Sequence, residues 1–190
     1  MVGQAIVNVS GSARVLNERL HPEDVKMLLD YDPRSGWLKW RHRQDSNPSF
    51  NARFAGKRAG GLGSRGYWTV SLYGQLYLGH RLAWAVSFGE WPSLDIDHIN
   101  GNRTDNRIVN LRLATRSENG FNQPAQRRNR SGMKGVYPDG DRWRAKLMAG
   151  GRTFRLGSFR TIAEAGQAYA EAAKTHQGAY AHVETAVKNG

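Results

Sequence analysis

Cysteine is absent from the 190 residues. That excludes disulfides, thiolate zinc sites and cysteine nucleophiles. Long apolar runs are missing too: the longest, Leu82 to Val86, falls far short of the ~18 residues that a membrane span requires. The first residues lack the apolar block of a signal peptide, so a soluble, cytoplasmic protein is expected, with no membrane partner. Acid is scarce, with 16 Asp and Glu against 28 Lys and Arg and a net charge of +12. Arg supplies 21 of those cations, and its planar fork of donors matches phosphate oxygens and guanine edges. The excess points to a polyanion, nucleic acid first. A hydrophobic share of 39% suffices for a packed core and excludes wholesale disorder.

The pattern predicts a loose tail over residues 1–19 and a short helix carrying Val25, Leu28 and Leu29. Pro22 and the acids Glu23 and Asp24 open that helix, where they suit its dipole. Trp37 to Trp40 reads as a strand, and 41–66 as a long basic loop. Tyr67 to Leu72 and Leu76 to Leu78 form a hairpin, and His80 to Phe88 a helix closed by Gly89. Asp95 to Ile99 and Leu111 to Leu113 are short strands. Thr115 and Glu118 make a capping box for a helix reaching about Asn122. A basic linker, 124–131, precedes a second unit at 132–182 and a tail at 183–190. In that unit Met133 to Tyr137, Arg142 to Met148 and Thr153 to Phe159 read as strands, joined by turns at Pro138 to Asp141 and Ala149 to Gly151. An alanine-rich helix follows Thr161. The expected class is α+β.

The densest polar cluster runs from Asp97 to Asn122. In a regular strand Asp97 and His98 point to opposite faces, an arrangement that sets a phosphate between an ion and a base. A neutral imidazole takes a proton from water near pH 7. A hard divalent ion on a few protein oxygens neutralises charge on phosphate. Asp97 and Asn119 offer such oxygens. Asn110 ends the loop before the second strand, where its amide or the neighbouring carbonyl can hold one imidazole nitrogen. Asn100, Asn102 and Asn106 also suit turns.

His80 to Trp84, Asp97 to Gly101, Asp105 to Arg112 and Ser117 to Asn119 together resemble the HNH homing endonucleases. The resemblance covers about 28–122 and is most specific over 80–122. It implies a ββα-metal core of two short strands, a loop and a helix around one divalent ion, magnesium or else manganese. By the match, His98 is the general base, Asp97 and Asn119 are metal ligands, and Asn110 orients His98. Asn122 is the alternative to Asn119. Asn replaces the final His of the motif, as in the Asn-type branch of that family.

In the second unit Arg142, Arg144, Lys146 and Met148 alternate with Trp143, Ala145 and Leu147. One face packs on the helix, and the other is a flat basic sheet. From Gln126 to Lys174 there are eleven Lys and Arg against four acids, whereas an ordinary solvated face mixes signs. Ser131 to Tyr137, Trp143 to Ala145, Leu156 to Phe159, Thr161 to Ala165 and Ala168 to Ala173 resemble the Apetala-type (ethylene-response-factor) DNA-binding domain. That resemblance implies DNA contact by Lys134, Arg144, Lys146 and Arg155, to which the basic face adds Arg142. Such modules accompany HNH nucleases in phage and mobile elements, which implies a bacterial host cytoplasm.

The expected function is a metal-dependent endonuclease that cuts double-stranded DNA as a monomer, without a small-molecule cofactor. The alternatives are a non-catalytic DNA-binding regulator and a less specific defence nuclease.

Overall fold

The computed structural model describes residues 20–44, 46–126 and 128–181. The tails expected at 1–19 and 183–190 lie outside the described residues. Helix α1 (Pro22–Leu28) starts from a capping box in which Asp24 accepts the His21 N–H at 3.1 Å. It stops one residue before expected. Leu29 instead begins β1 (Leu29–Asp32), which pairs antiparallel with β2 (Trp37–Trp40) and sets Leu29 opposite Trp40. The ladder pairs the Leu29 backbone and buries its side chain beside Leu28 and Leu38. Gly36 closes this hairpin at φ +71°, and a Cβ there would collide with the backbone of Asn106 and Arg107. Glycine thus lets the first hairpin rest directly on the central loop.

Residues 41–66 are more ordered than expected. They contain α2 (Pro48–Phe54), N-capped by Asn47, and a short β3 (Gly61–Leu62). Asn followed by Pro is a helix-start signal, and Phe50 and Phe54 meet one turn apart at 5.0 Å between ring centroids. The hairpin of β4 (Trp68–Leu72) and β5 (Gln75–Leu78) forms with Leu72 opposite Gln75. Its two-residue turn, Tyr73 and Gly74, takes positive φ at both positions, as the strand twist demands. Helix α3 (Gly79–Phe88) ends at left-handed Gly89. It buries Leu82 in a core with Val25, Leu29, Leu38, Val70 and Tyr77. Each such side chain contributes about 1.5–3 kcal/mol by burial.

Next come β6 (Asp95–His98) and β7 (Leu111–Ala114), antiparallel with Asp97 opposite Arg112 and His98 opposite Leu111. Helix α4 (Arg116–Phe121) follows, with the Thr115–Glu118 capping box formed. Two short strands, a loop and a helix are therefore contiguous. Ala83 of α3 packs with Ile96 and Leu111 behind them.

The second unit is a sheet of β8 (Val136–Asp139), β9 (Arg142–Ala149) and β10 (Arg152–Phe159), with β9 central, covered by α5 (Ile162–Gln177). The first strand sits later than expected and includes Pro138 and Asp139, residues expected in the turn. An edge strand tolerates the missing proline N–H. The preceding Gly135 is instead a left-handed turn pressed against Tyr169. Val136, Ala145 and Ala165, and next to them Leu147, Tyr169 and Ala173, form this unit's own core. The fold is α+β, as expected. Among the described residues no helix is long and apolar enough to cross a membrane.

Candidate active site

Asparagines knot the loop between β6 and β7. Asn110 donates to the Asp105 carbonyl at 2.9 Å and accepts from the Asn100 N–H at 3.0 Å. Asn100 donates to the Asp105 carboxylate at 2.8 Å. Asp105 is further held by the Arg107 guanidinium at 2.6 Å and 2.7 Å. That guanidinium, ahead of the hydrogen bond from Asn100, lowers the Asp105 carboxyl to about 2. The loop is thus built from satisfied polar groups, with little apolar packing of its own.

The amide of Asn110, one of the two groups expected near the imidazole, clasps the loop and makes no hydrogen bond to His98 among the described residues. The imidazole is met by Asn106, whose Oδ1 lies 3.2 Å from Nε2. Asn106 is itself braced, since Tyr31 of β1 donates to its carbonyl at 2.9 Å. The His98 ring also meets His80 of α3 edge-on, at 5.0 Å between centroids. Burial pulls the His98 pKa below its ordinary value, an effect partly offset by the Asn106 hydrogen bond and by the charges of Asp97 and Asp105. His80 is more deeply buried, and burial lowers it to about 3. Both rings are neutral near pH 7.

Asp97, 3% exposed, faces a different set of groups. Arg112, its partner across the ladder, approaches Oδ2 at 2.6 Å. Asn122, just past the end of α4, donates to Oδ1 at 2.9 Å, to Oδ2 at 3.1 Å and to the His98 carbonyl at 2.7 Å. Asn119 sits on α4, lines the same cleft and makes no side-chain hydrogen bond among the described residues.

A cleft of about 230 Å³ joins these groups, lined by Tyr67, Asp97, His98, Arg103, Asn119 and Asn122. Arg103 lies over the Tyr67 ring at 5.0 Å and donates to the Arg65 carbonyl at 3.1 Å. It has no carboxylate partner among the described residues. The cleft therefore combines a neutral imidazole, one carboxylate, a free amide and a cation. Residues 77–121 match the HNH endonuclease family.

The chain carries an HNH endonuclease domain. It is 37% identical over 76 residues to Protein 3.8 of Escherichia phage T7, covering 38% of this chain and 63% of that one. It is 31% identical over 110 residues to the Uncharacterized HNH endonuclease L560 of Acanthamoeba polyphaga mimivirus, covering 57% of each. The chain thus spans about three-fifths of the length of these two curated relatives. No solved structure matches it. The match to the HNH domain includes Asp97, His98, Asn110 and Asn119, ends just before Asn122, and stops well short of the C-terminal sheet.

Outside the HNH domain, Arg142, Arg144, Lys146 and Arg155 all lie exposed on β9 and β10. None of them is held in a close ion pair among the described residues. Arg142 donates to the Ser158 carbonyl at 2.8 Å, Arg144 stands 3.8 Å from Asp139, and Lys146 lies 4.7 Å from the Tyr137 ring centroid. Lys134, expected among the DNA contacts, points elsewhere. Its ammonium donates to the carbonyls of Gly120, Phe121 and Gln123 at 2.9, 2.6 and 2.6 Å. Those carbonyls lie at the C-terminal end of α4 and just past it, where a cation suits the helix dipole.

By sequence Asn106 reads as a turn former, and nothing local singles out Arg103 or Arg112. Asn106 is 1% exposed, and no local pattern distinguishes it from its asparagine neighbours. Arg112 was legible only as the residue that pairs with Asp97 once the strand register is known.

Proposed function

We propose that the chain is a metal-dependent endonuclease acting on double-stranded DNA. The carrying observation is that Asp97, His98 and Asn119 line one cleft inside a matched HNH domain. One carboxylate and one unbonded amide are hard oxygen donors of single net charge, which suits a divalent ion that keeps several waters. Asp97 and Asn119 would hold that ion. When bound, it supplies positive charge against the phosphate and the leaving oxygen. His98 does the proton chemistry. With Nε2–H donating to Asn106, Nδ1 keeps its lone pair and takes a proton from water. The water oxygen bonds to phosphorus, the opposite P–O ester bond breaks, and the leaving oxygen is protonated from solvent. Arg103, held in place by Tyr67, binds a phosphate oxygen. Asn110 acts at one remove by keeping the loop that carries Asn106 closed. The exposed Arg142, Arg144, Lys146 and Arg155 track DNA beside the cut. An Apetala-type sheet in the major groove, directing a homing-type nuclease, is the form this takes.

The test is conversion of supercoiled plasmid with Mg²⁺, Mn²⁺ or EDTA. Nicked or linear product with either metal, and none with EDTA, is expected. Duplex binding without cutting under every metal condition would instead identify a regulator.

A further inference from the structure

The second unit reaches back into the HNH domain at a point where charge matters. Helix α5 ends at Gly178, whose φ of +55° and ψ of −134° suit glycine alone. The chain turns there into a single helical turn, Gly178–Tyr180. The helix end itself is anchored, because buried Gln177 donates to the Met148 carbonyl of β9 at 3.1 Å. The turn then meets Arg112 from two sides. The Ala179 carbonyl accepts from Arg112 Nη1 at 2.6 Å, and the Tyr180 ring lies 4.0 Å from the guanidinium carbon. Tyr180 is fixed in turn, its hydroxyl donating to the Leu113 carbonyl of β7 at 2.8 Å. The other edge of the same guanidinium is on Asp97 Oδ2, at 2.8 Å from Nε and 2.6 Å from Nη2.

We propose that the turn Gly178–Tyr180 is part of the cleavage site: Tyr180 is a positioning residue that fixes Arg112, and through it the carboxylate of Asp97. This rests on the nuclease reading above, and it adds that the C-terminal unit completes the site as well as addressing it. A guanidinium gripped along one edge, capped by a carbonyl at the other and stacked on a ring has one geometry. Without the turn, Arg112 keeps its charge but swings with the freedom of an ordinary half-exposed arginine. Asp97 then keeps the Asn122 amide but loses the fixed partner on Oδ2 that sets its rotation. Outer groups that orient a ligand govern metal affinity about as strongly as they govern rate.

The experiment uses the full chain. Mn²⁺ binding is followed by calorimetry or by the free-ion paramagnetic resonance signal, next to kcat and KM on plasmid and duplex affinity in EDTA. Tyr180→Ala is expected to raise half-saturating Mn²⁺ and lower kcat by about three- to tenfold, with KM and metal-free duplex affinity unchanged. Tyr180→Phe, which keeps the ring but loses the hydroxyl bond to Leu113, is expected to fall between the parent and Tyr180→Ala on the same scale. If Tyr180→Ala loses its cooperative melt, Arg112→Lys replaces it, since a lysine cannot hold Asp97 and Ala179 together. Parent-like Mn²⁺ binding and kcat in the folded variant would overturn the positioning role. A parent protein that neither binds Mn²⁺ nor cuts would overturn the nuclease reading itself.

Discussion

Nε2 of His98 lies 3.2 Å from the amide oxygen of Asn106, a residue only 1% exposed. That contact selects the tautomer in which Nδ1 keeps its lone pair. Asn106→Ala is expected to lower kcat by about tenfold or more, with KM for DNA retained. Steady-state cutting of plasmid at saturating Mg²⁺ checks this, and a parent-like kcat would transfer the orienting role elsewhere.

His98→Ala removes the proposed base itself. A loss of ~10²-fold or more in rate is expected, while duplex affinity in EDTA stays at the parent level because binding rests on cations elsewhere. Gel shift and plasmid nicking on the same preparation separate the two effects, and undiminished cutting would refute the assignment.

Asn119 and Asn122 are expected to part ways. Asn119 makes no side-chain hydrogen bond among the described residues, so Asn119→Ala should raise half-saturating metal and leave the melting midpoint unchanged. Asn122 holds Asp97 and the His98 carbonyl, so Asn122→Ala should destabilise the fold by about 1–3 kcal/mol. Metal titration beside thermal melting decides it. The reverse pattern would make Asn122 the ligand.

Folding stability should fall as pH drops below 6.5. Burial lowers His80 from 6.5 to about 3, so in that interval the unfolded chain binds a proton that the folded one refuses. The slope from one such histidine approaches ~1.4 kcal/mol per pH unit. Asp105 acts in a different window, because its carboxyl is lowered from 3.8 to about 2 and its stabilisation is lost only below 3.8. Urea unfolding in EDTA between about pH 7 and pH 4.5 should therefore show a shallower pH dependence for His80→Met than for the parent. Identical slopes would mean that His80 takes its proton in the folded state.

The basic cluster should divide by geometry. Arg144→Ala and Arg155→Ala are expected to weaken duplex binding. If they meet phosphate, the salt slope should fall by about one unit each. If either grips guanine, discrimination at that base pair should drop by ~1–3 kcal/mol. Lys134→Ala should instead lower the melting midpoint with little change in salt slope, since its ammonium closes α4. Competition binding at two salt concentrations, with melting curves, tests all three; an unchanged slope for both arginines would make the sheet an ordinary solvated face.

The sequence by itself determined the elements whose signals are local. The Thr115–Glu118 box begins α4, Gly150 and Gly151 turn β9 into β10, and the alternation of Arg142, Arg144 and Lys146 with Trp143, Ala145 and Leu147 sets the exposed face of the sheet. Each follows from neighbours within a few residues, where backbone sterics and side-chain period suffice. The run from Asp97 to Asn119 also carried enough ordered polar residues to mark one cleft. The order within 41–66 was legible only in part, because the Asn47–Pro48 start was outweighed by a basic and glycine-rich composition. What only the tertiary structure decided are the pairings that cross the chain: Asn106 rather than Asn110 on His98, Lys134 on the end of α4, and Arg112 between Asp97 and Tyr180. Tyr31 and Gly36 are joined to the central loop in the same way. Such contacts depend on strand register and on which surfaces meet. No residue's own propensity encodes which distant donor or acceptor will stand within 3 Å of it.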